Sequence, residues 1–308
     1  MYDVIVIGGG PAGMTAALYA LRNGKTVLVL EKHGFGGQIT YSPKVENYPG
    51  TLQMSGNEFA DHFFEQIMAQ GADVELEKAT GVAVSEDGLL KTVTTEEGGS
   101  YEACSVVIAT GVKHRMLGLE GETELVGSGI SFCAVCDGDF YTDRVVCVAG
   151  GGNSALQEAV LLAGKCREVI MLQDLPTFTG EQKLQEVLFA KPNVKKFTDM
   201  KITGLEKNGE DLVAVLAENK VSGEAMRFAC DGLFEAIGLI PENEAFADLA
   251  KLNNWGYFDS GEDCTTATPG IYVAGDCRSK MIRQLTTALG DGAVAALAAC
   301  SYIDRNFG

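Results

Sequence analysis

The sequence predicts an α/β protein built from two Rossmann-like, three-layer ββα nucleotide-binding domains, the second inserted into the first. Three observations carry this. A strand, glycine turn, helix and strand open the chain at Val4, the same unit recurs at Val145, and two further apolar strands close on glycine in Ile108-Ala109-Thr110-Gly111 and Ala236-Ile237-Gly238. Sharp glycine turns suit chain crossings, so boundaries are expected near Val112 and Pro241. The first domain then takes 1–112 and 242–308, and the insert takes 113–241. A chain of 308 residues is about twice a domain of roughly 150 residues, which accommodates both.

Each element follows from its residues. Val4-Ile5-Val6-Ile7 is a buried strand, Gly8-Gly9-Gly10-Pro11-Ala12-Gly13 the turn, and an apolar helix runs to about Asn23 before a second strand, Thr26 to Leu30, ends in Glu31. Gly8 permits the tight turn, Gly10 lets a pyrophosphate approach the backbone at the helix N-terminus, and Gly13 lets helix and strand pack closely. Glu31 is placed to accept the ribose hydroxyl protons of an adenosine. In the repeat, Val145 to Ala149 leads into Gly150-Gly151-Gly152-Asn153-Ser154-Ala155, a helix to about Ala163 and a strand from Val169 to Leu172. Here Ala155 fills the packing position. Near the C-terminus, the strand Gly270 to Ala274 delivers Gly275 and Asp276, and Arg283-Gln284-Leu285 precede Thr287-Ala288-Leu289-Gly290-Asp291-Gly292 and a helix of small residues.

Composition narrows the function. A net charge of -18 disfavours nucleic acid, whose phosphates need a basic face. Lys191, Lys195 and Lys196 read as a solvated surface. No run approaches the roughly 18 continuous apolar residues of a membrane span, the longest candidate being Ala293 to Cys300, and the N-terminus does not read as a signal peptide. A cytoplasmic protein is expected. Nine cysteines, an odd number scattered along the chain, fit a reducing compartment.

One pair departs from the scatter. Cys133-Ala134-Val135-Cys136 spaces two thiols by one helical turn, a separation that fits a small disulfide ring, and a helix N-terminus nearby would raise the reactive thiolate fraction. A zinc site is not expected: there is no second CxxC, and His33, His62 and His114 show no ligand spacing to this one. Asp137, directly after the second cysteine, reads either as a general acid and base for the departing thiolate or as a helix cap.

Taken in order, GGGPAG, ENYPG at Glu46 to Gly50, ATG, CAVCDG, GGGNSA, AIG, GIYVAGD and RQLTTALGDG resemble the low-molecular-weight thioredoxin reductases through essentially the whole chain. The resemblance implies FAD in the first domain, held by Gly8, Gly10, Pro11, Ala12, Gly13, Glu31, Gln38, Asn47, Thr110, Gly111, Gly275, Asp276, Arg283, Gln284 and Leu285, and it implies a homodimer. It also implies that Cys136 faces the flavin, Cys133 attacks the disulfide of thioredoxin, and Asp137 handles the proton.

The NADPH-dependent members resembled here carry a His-Arg-Arg run and a further Arg for the adenosine 2'-phosphate. This chain has Gln173, Asp174, Leu175 and Thr179 in those positions. Two like charges about 5 Å apart at an effective dielectric near 20 cost on the order of 3 kcal/mol before screening, so NADPH is not expected as donor. The preferred expectation is a flavin-thioredoxin reductase that takes single electrons from reduced ferredoxin. The alternative is an NADH-dependent disulfide reductase in which Asp174 holds the ribose hydroxyls. A dithiol oxidase or a flavin redox sensor stands third, because the resemblance associates the oxidases with His after the second cysteine, where this chain has Asp137. Alkyl-hydroperoxide reductase subunits, which carry an added N-terminal thioredoxin-like region, are set aside because this chain starts at the first fold.

Overall fold

The computed structural model describes residues 1–42 and 44–308. By internal packing the chain divides into two compact units, Met1–Lys113 with Ile240–Gly308, and His114–Leu239. Both are α/β units of the expected ββα kind.

The first unit is organised by a seven-stranded sheet. Asp73–Glu75, Val27–Leu30, Tyr2–Ile7 and Ser100–Ile108 run parallel in that spatial order, and Lys91–Thr95 and Ala79–Val84 extend it as an antiparallel hairpin. Ile271–Val273 joins the other end of Ser100–Ile108 in parallel. Val4 to Ile7 and Val27 to Leu30 are buried on both faces, as expected of strands covered on each side.

On one face, helix Pro11–Arg22 presents Met14, Ala16, Ala17 and Ala20 to Ala295, Ala296 and Ala299 of the terminal helix Leu285–Phe307. Alanine on both sides brings the axes close, and a Leu at Ala16 would overpack the contact by about 1–3 kcal/mol. A Cβ on Gly292 would lie 2.2 Å from the Ala12 carbonyl oxygen, so this glycine is required by close approach. The terminal helix starts at Leu285, earlier than the sequence reading placed it, because the Thr287 hydroxyl accepts from the Gln284 amide at 3.1 Å and closes the first turn. Gly290-Asp291-Gly292 therefore lies inside the helix. Among the described residues this helix alone has the length and composition to cross a membrane, but half of its apolar window is buried inside the protein.

The second unit has a five-stranded parallel sheet in the order Val194–Phe197, Glu168–Leu172, Val145–Ala149, Gly232–Glu235 and Ile130–Ser131. Helices Asn153–Leu162 and Gln182–Phe189 cover one face around Leu156, Leu162, Leu188 and Phe234. The antiparallel strands Met200–Asn208, Asp211–Asn219 and Ala225–Ala229 cover the other around Leu212, Val215 and Leu233. This is the ββα layering of the repeat. The connections, Val112–His114 and Leu239–Pro241, are short strands that pair with each other.

Candidate functional site

In the first unit, the glycine turn is shaped by contacts only glycine tolerates. Gly8 has φ +111° and donates to the Leu30 carbonyl at 2.8 Å, while a Cβ on Gly13 would sit 1.8 Å from the Gly8 oxygen. Gly10 differs: the nearest atom to a Cβ there is Gly37 Cα at 4.0 Å. Gly10 caps the helix with no side-chain bond, and Pro11 has no N–H. The amides of Ala12 and Gly13 thus have no side-chain cap at a helix start left open at Gly10, an arrangement suited to an anion.

Glu31 ends its strand beside this turn. Oε2 accepts the Gly9 amide at 2.6 Å and Oε1 the His33 amide at 2.9 Å, leaving further lone pairs on both oxygens. Gln38 lies in the short helix Gly37–Tyr41, whose first residue approaches Gly10. Asn47 Nδ2 donates to Gln284 Oε1 at 3.3 Å, Thr110 Oγ1 to Asn243 Oδ1 at 2.8 Å, and Gly111 turns with φ +67°. Gly275, at φ +81°, would bring a Cβ within 2.7 Å of Ala12 Cβ. Asp276 follows it with Oδ1 enclosed and without a hydrogen-bond partner, and burial raises the carboxyl pKa. The Arg283 guanidinium covers the Tyr257 ring at 4.3 Å and reaches the Asp276 and Arg278 carbonyls at 3.4 Å. Leu285 opens the terminal helix.

An open glycine cradle, an uncapped helix start and an orphaned carboxylate fit a bound dinucleotide carrying hydrogen-bond donors. Sequence reasoning missed the residue that braces this corner. Asp291 accepts from Arg278 Nε at 2.7 Å, Arg278 Nη2 at 2.8 Å, Lys280 Nζ at 2.9 Å and the Gly275 amide at 3.0 Å. Burial opposes its charge, yet Arg278 and Lys280 hold its pKa below the usual range. Its place within the small-residue motif was visible, but its partners are not periodic with it.

In the second unit, Cys133 and Cys136 form a disulfide with Cα atoms 5.3 Å apart. Cys133 caps the turn Ala134–Asp137, and its Sγ accepts the Cys136 amide at 3.2 Å. Both cysteines are half-buried, and Val135 between them is exposed. Asp137 ends that turn and stands at the N-cap position of the 3-10 helix Gly138–Tyr141, where its side chain makes no capping hydrogen bond. The Ser131 hydroxyl donates to its Oδ2 at 2.6 Å and accepts the Cys133 amide at 3.1 Å. Oδ1 is enclosed with no partner, and burial raises the Asp137 pKa against the lowering effect of Ser131. Beside the pair, His114 stacks on Phe132 with centroids 4.3 Å apart, and burial pushes its pKa down to about 4. That imidazole is neutral at pH 7. Ser131 was legible only as a small residue near the motif; its role comes from the turn that folds Asp137 back onto it.

The second glycine turn keeps its shape, with Gly150 at φ +119° and a Cβ there only 2.5 Å from the Ala236 oxygen. Its strand end does not keep the acid. Gln173, buried, stands against Gly151 as Glu31 stands against Gly9, donating Nε2 to the Thr177 carbonyl at 3.1 Å and accepting the Asp174 amide at 3.1 Å. Asp174 is one residue further on and 68% exposed, with Lys220 Nζ at 3.9 Å. No group of three or more His, Cys, Asp or Glu suited to a metal occurs among the described residues.

The pyridine nucleotide-disulphide oxidoreductase family matches residues 2–292. A thioredoxin reductase of Treponema pallidum is 37% identical over 98% of this chain and 97% of its own length. A 34.2 kDa protein in a rubredoxin operon of Clostridium pasteurianum is 37% identical over 98% and 97%. The crystal structure of thioredoxin reductase from Streptococcus pyogenes superposes with a TM-score of 0.93 at 36% identity, covering 99% of both chains. With a glycine cradle for a dinucleotide in one unit and a CxxC disulfide in the other, the chain belongs to the pyridine nucleotide-disulphide oxidoreductases, FAD-binding flavoproteins, in their low-molecular-weight thioredoxin reductase branch.

Proposed function

We propose that this protein reduces the disulfide of thioredoxin through Cys133 and Cys136 and draws its electrons from reduced ferredoxin, with NADH as the competing donor. Bound FAD supplies a centre that accepts electrons singly and releases them as a pair. Its holders are Gly8, Gly10, Gly13, Glu31 and Asp276, with Pro11, Ala12, Gln38, Asn47, Thr110, Gly111, Gly275, Arg283, Gln284 and Leu285 completing the cleft.

At the disulfide, Cys133 is the attacking thiol. Its sulfur receives an amide hydrogen bond in the oxidised state, and the same donor favours the thiolate once the bond is broken. Cys136 is the sulfur that exchanges electrons with the flavin. Asp137, held by Ser131, gives and takes the proton of the departing sulfur, a role suited to a carboxyl whose pKa burial has raised.

The observation that carries the donor reading is the end of strand Glu168–Leu172. Gln173, Asp174, Leu175 and Thr179 offer no cation to a 2'-phosphate, and the lysine near them, Lys220, is already paired with Asp174. For NADH, the ribose needs an acceptor at the station of Gln173, where a neutral amide with one acceptor oxygen, already taking the Asp174 amide, stands in place of the two-oxygen carboxylate of Glu31. A homodimer in a reducing cytoplasm belongs to the same reading, supported by seven further cysteines that are all free and buried; light scattering on the purified protein checks the dimer.

Anaerobic mixing of the oxidised protein with NADPH, NADH or enzymatically reduced ferredoxin, with thioredoxin disulfide as final acceptor, tests the donor. Bleaching of the flavin band and turnover with ferredoxin alone is the expected result. Fast bleaching by NADH or NADPH overturns the donor assignment, and bleaching without thioredoxin turnover overturns the substrate.

A further inference from the structure

Helix Asn153–Leu162 carries a single ionisable side chain, Glu158, which the reading above does not use. The helix packs against the turn Ala134–Asp137, the 3-10 segment Gly138–Tyr141, the strands Val145–Ala149 and Glu168–Leu172, and helix Gln182–Phe189. Glu158 Oε2 is enclosed with no hydrogen-bond partner, as is Asp137 Oδ1, while the residue as a whole stays in contact with solvent. Two unpartnered carboxyl oxygens, one on each of two packed elements, form a pair in which one member stands beside the disulfide and the other reaches water.

The remaining titratable groups on the packed elements are engaged elsewhere. Asp139 is bound by Lys165, Glu168 by Lys195 and Glu186 by Gln182. Lys183 is exposed, and burial keeps the Tyr141 phenol un-ionised. The Cys147 thiol stays protonated through its contact with Cys230 and through burial. Asp137 is the group whose charge acts on Glu158, and burial together with that charge raises Glu158 to about 8. At neutral pH, Glu158 carries a proton.

We propose that Glu158 is a positioning residue that resupplies Asp137 with protons from solvent during disulfide reduction. When the Cys133–Cys136 bond breaks, two electrons delivered by the oxidoreductase reaction leave both sulfurs as thiolates. Asp137 transfers its proton to one of them and becomes a carboxylate; Glu158 then transfers its proton to Asp137 and takes another from water. The other sulfur stays a thiolate, the form that attacks the thioredoxin disulfide. Its charge leaves with the first thioredoxin thiolate released, while the protonated sulfur passes its proton to the second as the Cys133–Cys136 bond re-forms. Neither carboxyl is then left charged in its enclosed place.

This rests on the proton role of Asp137 given above, so Asp137→Asn is measured beside Glu158→Gln. The readout is thioredoxin reduction by the flavin-loaded protein over pH 6 to 9.5, at low and high concentrations of a small diffusible acid such as imidazole. In the wild type, the rate falls as pH rises through about 8, the value at which Glu158 loses its proton. In Glu158→Gln that limb disappears, the rate at pH 7 drops roughly tenfold, and imidazole restores it in proportion to its concentration.

An infrared difference spectrum of reduced minus oxidised protein gives a second readout: a protonated-carboxyl band present in the wild type is absent from Glu158→Gln. An unchanged pH profile with no imidazole dependence in Glu158→Gln, while Asp137→Asn is slow, overturns the proposal and leaves the role of Asp137 standing. If Asp137→Asn is itself as fast as the wild type, the underlying reading fails and the proposal with it.

Discussion

Glu31 Oε2 accepts the amide hydrogen of Gly9 at 2.6 Å, tying the end of one strand to the glycine turn that follows the neighbouring strand. The His33 amide binds the other oxygen at 2.9 Å, so the side chain needs an acceptor at both positions. Glutamine has only one. Glu31→Gln is expected to turn an NH2 toward one of the two amides, loosen the turn and weaken FAD binding by about tenfold or more, since a lost charge-assisted bond is worth roughly 1.5–3 kcal/mol. Flavin fluorescence on titrating the apoprotein measures it.

Two glycines of the same turn separate folding from cofactor binding. Gly13→Ala places a methyl 1.8 Å from the Gly8 oxygen and is expected to unfold the turn, lowering the melting temperature of the apoprotein. Gly10→Ala meets nothing nearer than 4.0 Å, so the apoprotein keeps its stability while the methyl intrudes where the pyrophosphate approaches. Equal melting temperatures for apo wild type and Gly10→Ala, together with a large loss of bound flavin, are the expected result.

Asp276 opposes its own fold until a ligand meets it. Oδ1 is enclosed and unpartnered and burial raises the pKa, so the cost of the ionised form is absent below the ordinary carboxyl range and grows as pH rises through the raised value. Asp276→Ala is expected to leave the apoprotein at pH 8 as stable as the wild type or more so, while FAD affinity falls about tenfold, near 1.4 kcal/mol. Calorimetry of apo and flavin-loaded forms separates the two effects.

Glu235 gives the second unit a dependence on alkaline pH. It is 3% exposed, and burial together with the facing Glu122 raises its pKa to about 9. Glu122 accepts the Leu117, Gly118 and Leu119 amides at 2.6, 2.7 and 2.8 Å, which hold its carboxyl in place. The folded state binds the Glu235 proton more tightly than the unfolded one, so this contribution is complete below the unfolded value of 4.5 and is lost as pH rises toward about 9. Glu235→Gln keeps a donor toward Glu122 without the titration. Its melting temperature is expected to fall less than that of the wild type between pH 6 and pH 9.5.

The two cysteines are expected to part company on mutation. Cys133→Ser abolishes thioredoxin turnover and leaves Cys136 able to perturb the flavin spectrum, whereas Cys136→Ser removes both signals. Full turnover in Cys133→Ser removes it from the attacking role.

Much of the fold was legible because its signals are local. Strands covered on both faces read as unbroken Val, Ile and Leu, and turns that require positive φ or near-contact spacing read as glycine, so Gly8, Gly13 and Gly150 announce two ββα units. The thiol pair was legible for the same reason, since its spacing is that of a single helical turn. The start of the terminal helix was not, because the Gln284–Thr287 contact outweighed the glycines that follow.

What the sequence by itself determined is the order of elements, the cysteine pair and the absence of any cation at positions 173, 174, 175 and 179, all properties of neighbours in the chain. Only the tertiary structure decided that Gln173 and not Asp174 takes the station of Glu31, that Ser131 holds Asp137, that Asp291 braces Gly275, and that Glu158 turns an enclosed oxygen into the interior. The physical reason is that desolvation and hydrogen bonding act through space. Whether a carboxyl is a solvated surface charge or a held proton depends on which segments enclose it, and those segments need not be neighbours in the chain.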